Sequence, residues 1–236
     1  MGATTASVAA ELLPEFGFVD PKMEVLAGLI RAHAHTPIQR MLVVGCGSGT
    51  EAAVLARALR VDVIGIDLHG RFDAQAAAAV DLRQGDATQL DFDDGSFDLA
   101  FSYHVLEHVP EYQKAIAEMH RVLKPGGTCC VGTPNRQRLI GYLGSREATL
   151  YEKIIWNIWD WKAMLGGRFR NELGAHAGFT SEELAASLAT VFDKTDEITR
   201  AYYNGVYFRQ AAVVDWLGRS GLGRFLFPAV YFVSAK

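Results

Sequence analysis

Met41-Leu42-Val43-Val44-Gly45-Cys46-Gly47-Ser48-Gly49 is the most informative stretch of this chain. Four apolar residues run into three alternating glycines, and residues 51–60 then turn rich in alanine and leucine. The apolar run is short enough for a buried first strand, and residues 51–60 read as a helix. Glycines between the two let the backbone approach a ligand and leave N–H groups open at the helix start. Such a turn alone is weak evidence, because it also occurs where a helix packs close to a strand. Its spacing says more. A dinucleotide fingerprint, G-x-G-x-x-G, needs glycine at position 50, where this chain has Thr50. A nucleoside ligand without a pyrophosphate therefore fits better than a nicotinamide cofactor.

Outward from this turn, residues 20–135 alternate helix and strand, as a parallel sheet with crossover helices requires. Asp20-Pro21 reads as a helix start, with apolar residues Val25, Leu26, Leu29 and Ile30 behind it. Strands are expected at 61–67, 81–84, 97–103 and 128–133, with a helix over 110–123. Lys124-Pro125-Gly126-Gly127 should break that helix and turn into the fifth strand. Beyond residue 135 the rhythm changes. Residues 136–176 hold three of the four tryptophans and seven Lys/Arg against four Asp/Glu. Ile154, Ile155, Ile158 and Trp159 are spaced like one face of a helix. Residues 180–190 look helical, with Thr180 as N-cap and Glu183 as its capping-box partner. A strand over 191–199, a helix over 202–217 and a last apolar strand over 228–235 complete the expectation.

Asp67 ends the second strand, 22 residues after Gly45. A carboxylate there reaches the carboxyl edge of a doubly wound sheet, where ligands bind, and can accept from both hydroxyls of a ribose. As a plain turn residue it would serve Leu68-His69-Gly70 instead. Composition adds exclusions. The net charge of −4 argues against non-specific nucleic-acid binding. Cys46, Cys129 and Cys130 lack ligand spacing and read as reduced, buried residues. No leader pattern is seen in residues 1–10, and no apolar stretch is long enough to span a bilayer. A cytoplasmic location is the expectation.

Gly85-Asp86-Ala87, Leu90-Asp91-Phe92 and Ser96-Phe97-Asp98-Leu99 make the pattern specific. With residues 43–49 before them and Leu123-Lys124-Pro125-Gly126-Gly127 after, the run resembles the class I S-adenosylmethionine-dependent methyltransferases. The resemblance spans roughly residues 40–135. It implies an α/β, Rossmann-like, seven-stranded and mostly parallel sheet with helices on both faces, its last strand antiparallel. The chain then reads as a single domain over 1–236: a cofactor-binding core at 20–135, a helical lid or acceptor insertion after strand five at 136–179, and C-terminal helices and last strands at 180–236. The resemblance further implies that Gly45, Gly47 and Gly49 line the methionine part of S-adenosyl-L-methionine and that Asp67 binds its ribose. Asp86 would accept from the adenine amino group, the Ala87 N–H would meet a ring nitrogen, and the Ser102 carbonyl would take the ammonium. S-adenosyl-L-homocysteine would be the product. One departure is Val43, where the family usually carries an acidic residue.

His104-Val105-Leu106-Glu107-His108 matches H-x-x-E-H, a zinc-peptidase pattern. That pattern needs a long helix, whereas here it comes straight after a strand and meets Pro110 two residues on, so no metal is expected. His104 and His176 are the candidate proton acceptors: His104 stands at the cofactor edge, and His176 lies in Gly174-Ala175-His176-Ala177-Gly178-Phe179, able to move. The expected acceptor is a small molecule, sugar, lipidic or natural product, methylated on oxygen or nitrogen. Two other readings stand beside this one: a cofactor-binding regulatory protein without catalysis, and a nicotinamide-dependent oxidoreductase.

Overall fold

Asp20 caps the first helix through its side chain, which accepts from the Lys22 N–H at 2.8 Å, with Pro21 in the first turn. The computed structural model describes residues 20–142, 148–171 and 177–236. Helix α1 (Pro21–His33) leads to β1 (Arg40–Val44), α2 (Thr50–Leu59), β2 (Asp62–Asp67), α3 (Ala74–Ala79), β3 (Asp81–Gln84) and β4 (Phe97–Tyr103). A 3-10 turn (Leu106–His108), α4 (Tyr112–Val122) and β5 (Leu123–Pro134) come next. After α5 (Leu150–Leu165) come α6 (Ser181–Leu188), β6 (Lys194–Glu197), α7 (Thr199–Val206), α8 (Ala211–Arg219), α9 (Gly223–Leu226) and β7 (Ala229–Ala235).

The strands form one sheet in the order β3-β2-β1-β4-β5-β7-β6. Its first five strands pair in parallel, and β7 runs antiparallel to both β5 and β6. Strands β1 and β4 lie side by side while their crossovers lead to opposite faces, which opens a crevice at their carboxyl ends. Both faces of β1 are buried. Met41 and Val43 join one apolar cluster with Leu26, Leu55 and Tyr231, and Leu42 and Val44 join another with Phe97, Ile116 and Phe232. This is why the strand reads as a continuous apolar run instead of alternating. Cys46, Cys129 and Cys130 are buried and unpaired. Among the described residues no helix is long and apolar enough to cross a membrane.

Three expectations need correction. The Lys124-Pro125-Gly126-Gly127 segment lies inside β5: Phe97 pairs with Leu123 and Leu99 with Thr128, so these residues form a bulge within the ladder. Asp98 holds that bulge, accepting from Lys124 Nζ at 2.7 Å and from the Gln39 and Arg40 N–H groups at 3.0 and 2.8 Å. The strand expected over 191–199 is confined to Lys194–Glu197. The helix expected over 202–217 starts at Thr199 and is broken by a 3-10 turn at Phe208–Gln210. A straight helix presents one stripe, whereas the break lets Tyr202, Tyr203 and Val214 all enter the same core. The helix that the spacing of Ile154, Ile155, Ile158 and Trp159 suggests is present as α5, and it leaves these isoleucines out of the core. Ile154 is 51% exposed and Trp159 63% exposed. Its inward contacts are polar: Asn157 accepts from the Gly141 N–H at 2.7 Å, and Asp160 accepts from Arg138 and Tyr142.

Candidate active site

The glycine turn folds as its sequence demands. Gly45, Gly47 and Gly49 all take positive φ, at 71°, 54° and 89°. Asp67 ties the turn to the end of β2, its Oδ2 accepting from the Gly47 N–H at 3.0 Å and its Oδ1 from the His69 N–H at 2.9 Å. One residue thus fills the turn role and also borders the cavity that opens here. A cavity of about 520 Å³ opens here, lined by Gly45, Gly47, Asp67, Asp86 and Ala87, among others. Asp86 accepts from the Thr88 N–H and Oγ1, both through Oδ1 at 2.8 Å, and these bonds hold its carboxyl below the usual carboxylate range. Burial and the neighbouring Asp67 push the Cys46 thiol up to about 12, so it stays a protonated core residue.

Three residues stand apart from this cavity. Gly49 does not line it and packs at the start of α2 against Leu82. Ser102 is fully buried inside β4, and its hydroxyl has no hydrogen-bond partner among the described residues. Val43 spends its side chain in the core, away from the crevice. His176 lies outside the described residues.

A second cavity, of about 510 Å³, lies on the other side of the β4 edge. Tyr103, Tyr202, Tyr203, Tyr207 and Tyr231 supply its aromatic wall, and Lys22 reaches it from α1. From residues 136–179 it receives Arg138 and Tyr142. The Tyr202 and Tyr231 rings lie 4.0 Å apart between centroids. Burial raises the phenols of Tyr103, Tyr203 and Tyr231 above their ordinary value and that of Tyr202 to about 12. At neutral pH these four groups donate hydrogen bonds and take no protons. The sequence reading missed this wall. Its signal was the tyrosine density of Ala201-Tyr202-Tyr203-Asn204-Gly205-Val206-Tyr207, which a helix-core reading absorbs.

His104 and His108 line both cavities. His104 carries φ +55°, a left-handed conformation uncommon for a residue with a Cβ, at the point where β4 turns out of the sheet. Its ring stands edge-on to Tyr103 at 4.3 Å. The H-x-x-E-H segment folds as this bend plus one short 3-10 turn, not as the long helix a zinc-peptidase site uses.

Comparison with known proteins agrees with this geometry. A family model described as a methyltransferase domain matches residues 42–131. The phosphatidylethanolamine N-methyltransferase of Cereibacter sphaeroides is 31% identical over 164 residues, 66% of this chain and 71% of that one. A demethylmenaquinone methyltransferase of Geobacillus kaustophilus is 31% identical over 171 residues, 62% and 73% of the two chains. Two further curated relatives, from Streptomyces fradiae and Mycolicibacterium smegmatis, are matched over only 31% and 38% of their length. Among solved structures, phosphoethanolamine N-methyltransferase 2 of Haemonchus contortus, in complex with S-adenosyl-L-methionine, superposes with a TM-score of 0.56 at 20% identity, covering 98% of this chain and 57% of that one. At that identity the likeness is one of fold.

Proposed function

Because the chain belongs to the class I S-adenosylmethionine-dependent methyltransferases, we propose that it transfers the cofactor's methyl group to an oxygen or nitrogen of a small molecule held in the tyrosine-walled cavity. The observation that carries the reading is the pair of cavities, each near 500 Å³, sharing His104 and His108 as a common wall. One holds the donor and the other the acceptor, so the reacting atoms meet at the β4 edge.

The described residues fit the cofactor. A Cβ on Gly47 would meet nothing within 4 Å, so the backbone there borders open space that a methionine chain can fill. Asp67 lies at the end of β2 for the ribose hydroxyls. Asp86 bonds Thr88 through Oδ1 and keeps Oδ2 for the adenine amino group, beside the Ala87 N–H. When bound, the cofactor supplies an electrophilic methyl on a sulfonium. The protein aligns the acceptor with it and excludes water, which removes several kcal/mol of barrier. His104 takes the acceptor's proton. Residues 136–179 cover the acceptor, with Arg138 and Tyr142 as their contribution to the wall. The phosphatidylethanolamine and demethylmenaquinone methyltransferases that resemble this chain differ from each other in acceptor, so its own cavity sets the choice here. Incubation with methyl-labelled S-adenosylmethionine and a panel of small phenols, amines and alcohols tests the reading. Label should move to at least one acceptor class. Tight binding of S-adenosylhomocysteine with no transfer to any member would make the chain a cofactor-binding protein without this activity.

A further inference from the structure

Glu107 is a buried charge that the fold does not account for. It sits in the 3-10 turn after β4 with its side chain 1% exposed. Oε1 lies 3.5 Å from His104 Nδ1 and 3.9 Å from His108 Nε2, while Oε2 has no hydrogen-bond partner among the described residues. Burying a carboxylate with half of its acceptor capacity unused destabilises a fold, and an apolar residue of similar size would pack there at lower cost. Glu107 lines the tyrosine-walled cavity, between the two histidines that both cavities share. His104 faces Glu107 with Nδ1, and its Nε2 makes no hydrogen bond among the described residues. Its backbone is held in a left-handed conformation and its ring against Tyr103, so the imidazole has a set position.

Resting on the methyl-transfer reading, we propose that Glu107 is a positioning residue that fixes His104 as the Nδ1–H tautomer, leaving Nε2 bare toward the acceptor. A small ring rotation closes the 3.5 Å contact to a hydrogen bond, and contacts of this kind are commonly long before substrates bind. During methyl transfer the acceptor's O–H or N–H proton passes to Nε2. The freed pair on oxygen or nitrogen bonds to the methyl carbon, and the carbon–sulfur bond breaks with its electrons going to sulfur. The imidazolium so formed lies against the Glu107 carboxylate, which stabilises it. The acceptor class is then a hydroxyl or an amine that must lose a proton, not one already bearing a free anion.

Long-range ¹H–¹⁵N spectra of the histidine rings, recorded on the full chain saturated with S-adenosylhomocysteine, read the tautomer directly. The wild type should show His104 with a protonated Nδ1 and a bare Nε2. Glu107→Leu should lose that preference while binding S-adenosylhomocysteine within about twofold of the wild type and melting no lower. Glu107→Met, closer in shape, replaces it if the leucine variant does not fold. His104 protonated on Nε2 in the wild type, or an unchanged Nδ1–H form in the apolar variant, overturns the proposal. Failure of the wild type to bind S-adenosylhomocysteine at all would instead strike the methyl-transfer reading, so the two failures are told apart.

Discussion

A Cβ built on Gly45 would lie 2.3 Å from Val105 Cγ2, and one on Gly49 2.3 Å from Leu82 Cδ1, whereas at Gly47 it meets nothing within 4 Å. Three glycines that look alike in sequence therefore do different work. Two permit packing, and one leaves room for a ligand. Gly49→Ala combines a positive φ with a clash and should lower stability by about 1–3 kcal/mol in chemical denaturation, while leaving the lining of the ligand cavity unchanged. A Gly49→Ala variant as stable as the wild type would contradict this division. Asp67 carries two duties, pinning the Gly47 and His69 N–H groups and facing the cavity. Asp67→Ala should weaken S-adenosylhomocysteine binding by roughly tenfold to a hundredfold in calorimetry, and Asp67→Asn by less. Equal affinity in both variants would leave Asp67 a turn residue only. That Gly47, Asp67, Asp86 and Ala87 border one cavity follows from local spacing, which sets them at or just after the ends of β1, β2 and β3. The packing of Gly49 and the burial of the Ser102 side chain were not legible that way, since they depend on Leu82 and on the neighbouring strands, far away in the chain.

At the scale of elements, the bulge that lengthens β5 and the start of β1 are held by one carboxylate. Burial alone would raise the Asp98 pKa, but hydrogen bonds from Lys124 and from the Arg40 and Gln39 N–H groups outweigh it and hold the carboxyl below its ordinary value. A group depressed in the folded state stabilises fully above its unfolded pKa, about 4, and loses that contribution as pH falls through the folded value. Asp98→Asn should therefore cost stability at pH 7, and its difference from the wild type should shrink below about pH 4. An equal loss at both pH values would rule out the charged contacts as the cause. Residues 136–179 leave and rejoin the sheet at one point, where Asn135 pairs with Phe179 and Arg136 donates to Gly178 O. Arg138 links that junction to α5 by donating to Asn135 O, Ala177 O and Asp160. Arg138→Met should loosen α5, raising its amide exchange by about tenfold or more while exchange in β1 and β4 stays slow. Uniform protection would deny the arginine its anchoring role. The caps of α1 and α6 were legible because they are local. The polar inward stripe of α5 was not, because apolar spacing alone does not say which face meets the protein.

Across the whole molecule, the glycine-turn cavity and the tyrosine-walled cavity differ in how much of them sequence discloses. The methyltransferase match ends at residue 131, and the tyrosine wall comes from residues 103 and 202–231, brought together by α7 and by the antiparallel β7. The first cavity follows a family pattern, and the second is built by tertiary packing that no short spacing records. Methyl transfer at the His104 wall requires S-adenosylmethionine to lie over Gly47 with its methyl toward that wall. Calorimetric titration of S-adenosylhomocysteine into the wild type and into a folded Gly47→Val variant puts this placement to the test. One site per chain in the wild type, lost in Gly47→Val while circular dichroism and melting show a native fold, is the predicted result. Undiminished binding in the folded variant, or none in the wild type, would contradict it.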